Sequence, residues 1–334
     1  MTIKDLAAKT GYSLGTISRV LNNQAHVSEQ AREVILKAAQ ESGFRLNANA
    51  RQLKQQHSNS ILVLCKGRGN ELYEELLVII QSRFAQTQHP VIIDYIDESE
   101  NVVRRAIQLC PEKKPVGILF LGGNRDEFLE DFHRISVPCV LVTGHAEQFP
   151  FPNLSSVTSD DVLSASIAID HLVEQGHRNI VVVGGHRDYS DITQQRYQGC
   201  LQAFQRNDIS FREDRDYETC RYTYEEGYRA ATELLRRNDS FTALFAMSDV
   251  MAIGAIRALR DQGRQVPEDV SVVGLDGLSI GAYTVPRLST VAQSARELAN
   301  KSVDLLLQGI SNKEVGHVTV PVSLQKRESV KALL

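Results

Sequence analysis

The pattern that comes nearest to catalytic chemistry lies in the last fifth of the chain. Residues 277–281 read Gly-Leu-Ser-Ile-Gly, a spacing that can expose a nucleophilic serine on a sharp strand-to-helix turn. Asp304 and His317 follow Ser279 in the order Ser, Asp, His that one class of hydrolases uses. No His-Gly-Gly oxyanion loop occurs in the first third of the chain, and only about 55 residues follow Ser279. A serine hydrolase using Ser279 therefore stays a distant alternative, and the favoured interpretation is a protein that is not an enzyme.

No other catalytic or cofactor motif is found. The sequence has no HExxH motif and no P-loop, and its nine histidines are scattered along the chain. The five cysteines are an odd number without CxxC spacing, which is typical of reduced thiols in the cytoplasm. We therefore predict no metal site and no cofactor.

A second group of polar residues, near the N-terminus, is suited to contact with DNA. Arg19 could donate a pair of hydrogen bonds to a guanine, and short polar side chains beside it suit phosphates and base edges. The helix that carries them would expose Leu14, Gly15, Thr16, Ser18, Arg19 and Asn22, and would turn Ile17, Val20 and Leu21 inward. A plain three-helix bundle that does not bind DNA fits the helix spacing equally well.

Three short helices must position these side chains. Thr2 and Asp5 form a capping-box pattern, and Gly11 can end the first helix. Ser13 and Ser28 are the predicted N-caps of the second and third helices, and the link of about three residues before the second helix indicates a helix-turn-helix unit. Residues 1–57 carry a net charge of +4 and the rest of the chain −8, so a polyanion partner is expected for the head alone.

The remainder of the chain alternates between two kinds of segment. Apolar runs at 61–65, 91–96, 116–121, 138–143, 180–184, 242–246 and 270–275 are separated by helical patterns of about 10–15 residues. Such alternation predicts a parallel sheet, and its length favours two doubly wound lobes with a ligand cleft at the carboxyl ends of the strands. No apolar run approaches the ~18 residues needed to span a bilayer, and no signal peptide is recognised, so a cytoplasmic protein is expected.

The head resembles that of the LacI/GalR (lac repressor) family. The resemblance rests on Thr2–Ala7, Gly11–Ser13, Thr16–Asn22, Val27–Ser28, and Gly43–Arg45 followed by Asn47–Leu53. It implies that Leu14 and Gly15, which open the recognition helix, choose the operator. It also implies a hinge helix, in which Leu53 enters the minor groove and kinks the duplex. The DNA-binding residues it implies are Thr2, Ser13, Leu14, Gly15, Thr16, Ser18, Arg19, Asn22, Asn47, Ala50, Leu53 and Lys54. The family usually has Pro where this chain has Leu46, which softens the hinge.

The body resembles the effector domain of the same family, which is similar to a periplasmic sugar-binding protein with two lobes and three crossovers. The matching signatures include Gly176–Ile180, Ser248–Ala255, Val266–Asp276 and Leu288–Val291. The resemblance implies a site in which Arg196 donates paired hydrogen bonds to effector hydroxyls and Asp276 accepts hydrogen bonds from them. Ser248 or Asp249 would close the same side of the site, and Tyr222 would stack on the effector. From the other lobe it implies Asn70, Leu72 and Tyr73.

Other roles for these residues stay open. Arg196 could pair with an acid of the cleft, Asp276 could cap the following turn, and the two tyrosines could be ordinary packing residues. The wall from the first lobe departs from the family pattern, because Glu71 and Leu72 replace a proline and an aromatic residue. Arg68, between two glycines, suits an acidic or phosphorylated sugar.

The predicted organisation is a small all-α head and an α/β, periplasmic-binding-protein-like body. Residues 1–45 form the helix-turn-helix domain, 46–58 the hinge and linker, and 59–334 the effector-binding and dimerisation domain. Its N-lobe spans about 59–157 and 291–318, and its C-lobe about 158–290 and 319–334. No leucine heptad follows Ser329, so a homodimer is expected.

The predicted function is sequence-specific transcription regulation. We expect a homodimeric repressor of carbohydrate-utilisation genes that binds a near-palindromic operator and is released by a sugar or sugar phosphate. A corepressed or activating member of the family with a purine-like ligand is the alternative. No membrane partner is expected, and the protein is placed in the cytoplasm, at the nucleoid.

Overall fold

The computed structural model describes residues 3–21, 27–42 and 59–333. The chain divides into two compact units, Met1–Ser58 and Asn59–Leu334. Within its described part, the first unit consists of the helices α1 (Ile3–Thr10), α2 (Leu14–Leu21) and α3 (Glu29–Glu41).

The local signals predicted for the head are present. Gly11 ends α1 with a φ of +74°, a conformation that glycine adopts without steric cost. The Ser13 hydroxyl accepts the backbone N–H of Thr16, and the Ser28 hydroxyl accepts that of Ala31, so both predicted N-caps are confirmed. The three helices enclose one small apolar core formed around Leu6, Ile17, Val20 and Ile35.

The second unit holds two six-stranded sheets, and the predicted fold class is confirmed. The first sheet is parallel throughout, in the order β11-β5-β4-β3-β1-β2. Its strands are β1 (Ile61–Lys66), β2 (Val91–Ile96), β3 (Gly117–Leu121), β4 (Cys139–Val142), β5 (Leu154–Ser159) and β11 (His317–Val320). The second sheet, in the order β12-β10-β9-β8-β6-β7, is parallel except for β12. Its strands are β6 (Ile180–Gly184), β7 (Tyr217–Thr219), β8 (Ala243–Ala246), β9 (Ser271–Asp276), β10 (Ser289–Gln293) and β12 (Val322–Gln325).

Helices cover both faces of each sheet. The first sheet packs against α4 (Glu71–Phe84) and α12 (Ala295–Asn312) on one face, and against α5 (Val102–Lys113) and α6 (Arg125–Asp131) on the other. The second packs against α7 (Asp161–Glu174) and α8 (Asp191–Arg206) on one face, and against α10 (Tyr224–Arg237) and α11 (Asp249–Asp261) on the other. The short helix α9 (Glu213–Asp216) precedes β7.

The chain passes between the two lobes three times. It leaves the first sheet after β5, returns to it after β10, and crosses once more between β11 and β12. We call the lobe around the first sheet the N-lobe and the lobe around the second sheet the C-lobe. Because all the crossings lie at one end of the sheets, the carboxyl ends of the parallel strands of both lobes face a common cleft.

Candidate functional site

A cavity of about 160 Å³ lies between the two lobes, at the carboxyl ends of their strands. Its N-lobe wall comes from the segments that follow β1, β2, β3 and β4, and its C-lobe wall from those that follow β6, β7 and β9. Six of the residues predicted to contact an effector line this cavity together: Asn70, Leu72, Tyr73, Arg196, Tyr222 and Asp276.

Arg196 forms the floor of the cavity on the C-lobe side. Arg196 is 5% exposed, and its Nε donates to Oδ1 of Asp161 at 2.8 Å. One Nη1 hydrogen is donated to the carbonyl oxygen of Met247 at 2.6 Å. The Nη2 group lies 3.7 Å from Oδ1 of Asp276, beyond hydrogen-bonding distance. Arg196 is therefore held on one side by the protein, and its Nη2 group is the part of the guanidinium that faces Asp276.

Asp276 stands beside Arg196 at the last position of β9. Its Oδ1 accepts the side-chain amide of Gln293 at 2.9 Å. Burial raises the pKa of Asp276 to about 7, against the opposing effects of Arg196 and of the bond from Gln293. The backbone φ of Asp276 is +120°, a region that side chains other than glycine rarely adopt. Such strain persists only where the surroundings hold it, which is common at ligand sites.

Aromatic and polar side chains complete the walls. The Tyr222 hydroxyl bonds to Oγ1 of Thr193 at 2.8 Å on the C-lobe side. On the N-lobe side, the hydroxyl of buried Tyr73 bonds to Oγ1 of Thr143 at 3.1 Å. The side-chain oxygen of Asn70 accepts the N–H of Leu72 and so caps α4.

The mouth of the cavity is bridged by an ion-pair cluster that joins the lobes. Arg221, in the C-lobe, contacts Oδ2 of Asp97 at 3.3 Å and Oε1 of Glu98 at 3.0 Å, both from the segment after β2. Another bond between the lobes joins the backbone N–H of Arg125 to the carboxylate of Asp191. These contacts define a closed arrangement of the two lobes around the cavity.

Two predicted site residues do not line the cavity. The hydroxyl of Ser248 is the N-cap of α11 and accepts the N–H of Met251 at 3.3 Å. Asp249 is completely buried behind Asp276, and its Oδ2 accepts the N–H of Leu278 at 2.7 Å. Both are turned toward the protein because the start of α11 and the turn after β9 need their bonds.

The residues of the hydrolase alternative are not assembled. Ser279 begins a single 3-10 turn (Ser279–Ala282) instead of the long helix that a nucleophile turn requires. Asp304 pairs with Arg83 at 2.6 Å, and Nδ1 of His317 lies 2.9 Å from the hydroxyl of Ser156. The three side chains therefore serve separate local contacts, and no catalytic triad forms.

Several residues of the cavity were not predicted. Thr143, Asp97, Glu98 and His186 all lie within two residues of the end of a strand and line the cavity. The rule that ligands bind at the carboxyl ends of parallel strands could have found them from the strand predictions. Arg221 gave no comparable signal, because its role depends on acids of the other lobe.

On the head, α2 exposes the face that was predicted to contact DNA. Leu14 is 45% exposed, and Gly15 and Arg19 are exposed beside it. Ile17 and Val20 are buried, which confirms the predicted inward face. Ser13 and Thr16 share a hydrogen bond at the start of the helix. The structure describes the backbone of Ser18; six other predicted DNA contacts lie outside the described residues: Thr2, Asn22, Asn47, Ala50, Leu53 and Lys54.

The part of the chain that the structure describes holds neither a membrane-spanning helix nor a metal-binding cluster. None of its helices is long and apolar enough to cross a membrane. No group of three or more His, Cys, Asp and Glu side chains among residues 3–21, 27–42 and 59–333 is arranged to hold a metal ion.

Comparison with known proteins agrees with both units of the structure. Residues 2–47 match the family described as bacterial regulatory proteins, lacI family, and residues 169–330 match the periplasmic binding protein-like domain. The HTH-type transcriptional regulator MalR of Clostridium butyricum is 34% identical over 98% of this chain and 99% of its own length.

Solved structures are similar over almost the whole length. The lac repressor dimer bound to operator and the anti-inducer ONPF has a TM-score of 0.80 and 26% identity, with 99% of both chains covered. The complex of the transcriptional regulator CelR with cellobiose has a TM-score of 0.71 and 26% identity, with 98% of this chain and 99% of that chain covered.

Proposed function

Because this chain belongs to the lacI family of bacterial regulatory proteins, we propose that it is a homodimeric repressor of carbohydrate-utilisation genes. In this proposal it binds a near-palindromic operator and is released from it by a sugar or a sugar phosphate. Family membership makes the chain a DNA-binding transcription regulator of the cytoplasm and not an enzyme; its association with the nucleoid is part of the proposal.

The observation that carries the sugar proposal is the pairing of Arg196 with Asp276. A donor and an acceptor, both buried, stand 3.7 Å apart without a hydrogen bond between them. Two neighbouring hydroxyls of a sugar can bridge such a pair, because each hydroxyl both donates and accepts. Tyr222 and Tyr73 add aromatic surface on opposite walls, which suits the apolar face of a sugar ring. The cellobiose held by a similar regulator supports the same ligand class.

The contacts between the lobes support a mechanism of release. An effector can weaken operator binding only if effector and operator favour different arrangements of the lobes. A ligand between Asp276 and Tyr73 touches both walls, and so it stabilises the closed arrangement that Arg221 bridges to Asp97 and Glu98. In our proposal, the operator favours an arrangement in which these contacts differ.

The DNA contacts are proposed on the exposed face of α2. Ser13, Leu14, Gly15, Thr16 and Arg19 belong to it. Thr2, Ser18 and Asn22 are proposed as further DNA contacts. Leu14 can touch a thymine methyl group, and Arg19 can pair with a guanine. Asn47, Ala50, Leu53 and Lys54 of the hinge are proposed to contact the minor groove at the operator centre.

Exposed apolar side chains of the C-lobe support the homodimer. Tyr283 is 81% exposed, Val285 is 73% exposed and Ile280 is 40% exposed, all within one segment of six residues. Apolar clusters of this kind are typical of protein interfaces, because water leaves them when two surfaces meet. A homodimer also matches two half-sites of a palindromic operator.

The experiment has two stages. Sites bound by the full-length protein are first selected from random duplex DNA, and their symmetry is read from the enriched sequences. Fluorescence anisotropy of the selected duplex then measures release by a panel of ribose, cellobiose, their phosphates, and purine bases. We expect palindromic sites, release by a member of the sugar set, and no release by the purines.

A matched pair of variants ties release to the cavity. Asp276→Asn should bind the operator like wild type but need roughly 5–150-fold more sugar, as a loss of about 1–3 kcal/mol implies. Asp170→Asn makes the same chemical change at a surface pair with Arg206 and should respond like wild type. A ligand that strengthens operator binding, or release by a purine alone, would favour the corepressed alternative. If no site is enriched, the proposal that the chain is a sequence-specific DNA-binding regulator is contradicted.

A further inference from the structure

Asp249 is buried behind the effector cavity and is hydrogen-bonded to the turn Asp276–Leu278. Its Oδ2 accepts the backbone N–H of Leu278 at 2.7 Å. Leu278 lies two residues beyond Asp276 in the chain. The first residue of α11 therefore holds the turn that carries the carboxylate proposed to bind the effector.

This turn needs such support. Asp276 has a φ of +120° and Gly277 a φ of +78°, so two successive residues are in the left-handed half of conformational space. The absence of a side chain at Gly274 leaves space for the Asp249 carboxyl group, because a Cβ at that position would lie 2.2 Å from Oδ1 of Asp249. The protein therefore keeps a space for this carboxyl group directly under the strand that ends at Asp276.

The far end of the same turn reaches the other lobe. Leu278, 1% exposed, and Val250, next to Asp249, both belong to the apolar cluster of the N-lobe that includes Tyr73 and Leu77. The adjoining N–H of Ser279 lies 3.4 Å from Oε1 of Glu75, across the lobe boundary. One short segment thus presents Asp276 to the cavity and Leu278 to the N-lobe.

We propose that Asp249 is a positioning residue that couples the carboxylate of Asp276 to the packing of Leu278 between the lobes. A sugar hydroxyl that moves Asp276 also moves Leu278, because Leu278 lies two residues along the same turn and its N–H is held by the carboxyl group of Asp249. The proposal rests on the proposed role of Asp276 in effector binding. It assigns Asp249 to the switch and not to the ligand.

The surroundings of Asp249 also affect its charge state. Oδ1 of Asp249 is buried and has no hydrogen-bond partner among the described residues. An ionised oxygen without a donor is costly to bury, which favours the protonated form of the carboxyl group. Burial, together with the charge of Asp276, raises the pKa of Asp249 to about 8. Asparagine at this position therefore matches the wild-type side chain in size and charge and keeps an acceptor for Leu278.

Hydrogen–deuterium exchange of the full-length protein, without DNA or sugar, tests the coupling. Asp249→Ala should speed exchange about tenfold in peptides from residues 277–282 and also in N-lobe peptides from residues 72–80, because a buried bond of ordinary strength is lost. Asp249→Asn should restore wild-type exchange in both. The control Ser248→Ala removes the neighbouring helix cap and should change only peptides at the start of α11.

A double-variant experiment separates coupling from local damage, and it does not depend on whether Asp249→Ala folds. Asp276→Asn should speed exchange in residues 72–80, and this effect should vanish when Leu278→Ala has already removed the contact with the N-lobe. Changes confined to the C-lobe, no rescue by Asp249→Asn, or an unchanged effect of Asp276→Asn in the Leu278→Ala protein would each overturn the proposal. No DNA or sugar is used, so these outcomes are independent of the operator-release experiment.

Discussion

Replacing Arg196 by alanine should destabilise the C-lobe as well as remove a ligand contact. Arg196 is 5% exposed, and its guanidinium pairs at 2.8 Å with Asp161, which is 2% exposed. It also satisfies the Met247 carbonyl and lies 3.7 Å from Asp276. Alanine leaves two buried carboxylates without their cation. Breaking one buried ion pair costs about 3–5 kcal/mol, which is a large share of the ~5–15 kcal/mol that stabilises a typical domain.

The expected loss at pH 7 is therefore about 3–5 kcal/mol, measured by urea unfolding followed by circular dichroism. Adding Asp161→Asn should recover at least ~1 kcal/mol, because an amide is less costly to bury than a carboxylate. Arg206→Ala is the matched control: its pair with Asp170 is partly exposed to solvent, so its removal should cost less than ~1 kcal/mol.

Equal losses for Arg196→Ala and Arg206→Ala would refute the structural role of the buried pair. A destabilising Arg196→Ala also changes how its binding data are read. Loss of the effector response in that variant could come from partial unfolding, whereas Asp276→Asn keeps the arginine and its bond to Asp161. Asp276→Asn is therefore the cleaner test of the ligand site.

Four further predictions concern the head, the pH dependence, the dimer and the enzyme alternative. Arg19→Ala should lower operator affinity by ~1–3 kcal/mol, with a much smaller loss on random DNA, because a paired base contact disappears; equal losses by anisotropy would limit Arg19 to phosphate contacts. The pKa of Asp276 is about 7 in the folded chain and 3.8 in its unperturbed state, so the unfolded chain binds fewer protons between those values. The contribution of Asp276 to stability should therefore fall as pH rises from about 4 to about 7, and Asp276→Asn should flatten this part of the pH dependence in urea unfolding; an unchanged slope would contradict it. Tyr283→Glu should shift the protein from dimer to monomer in light scattering at micromolar concentration, because a charge in an apolar interface is costly; an intact dimer would place the interface elsewhere. Ser279→Ala should leave operator binding and release unchanged, since Ser279 has no catalytic partners, and esterase activity that this variant lost would reverse that view.

Much of the fold could be predicted because its signals are local. The caps Ser13 and Ser28 and the glycine that ends α1 act within a few residues, and the apolar runs of the body mark buried parallel strands wherever they occur. Strand β5 lies outside the predicted apolar runs because four of its six residues, Leu-Ser-Ser-Val-Thr-Ser, are polar. It is buried all the same, because Ser155 bonds to the N–H of Gly316 and Ser156 to His317, more than 150 residues away.

The residues of the candidate site likewise include some that local sequence signals predict and others whose contacts depend on distant parts of the chain. The sequence by itself determined the helix-turn-helix head, the alternating body and, through the family resemblance, six residues that line one cavity, since strand ends and helix starts position them locally. Only the tertiary structure decided which neighbours those residues have. It turned Ser248 and Asp249 toward the protein, backed Arg196 with Asp161, and set Arg221 against Asp97, 124 positions away. Such pairings depend on how two separately folded lobes meet, and no periodicity or spacing within one segment carries that information.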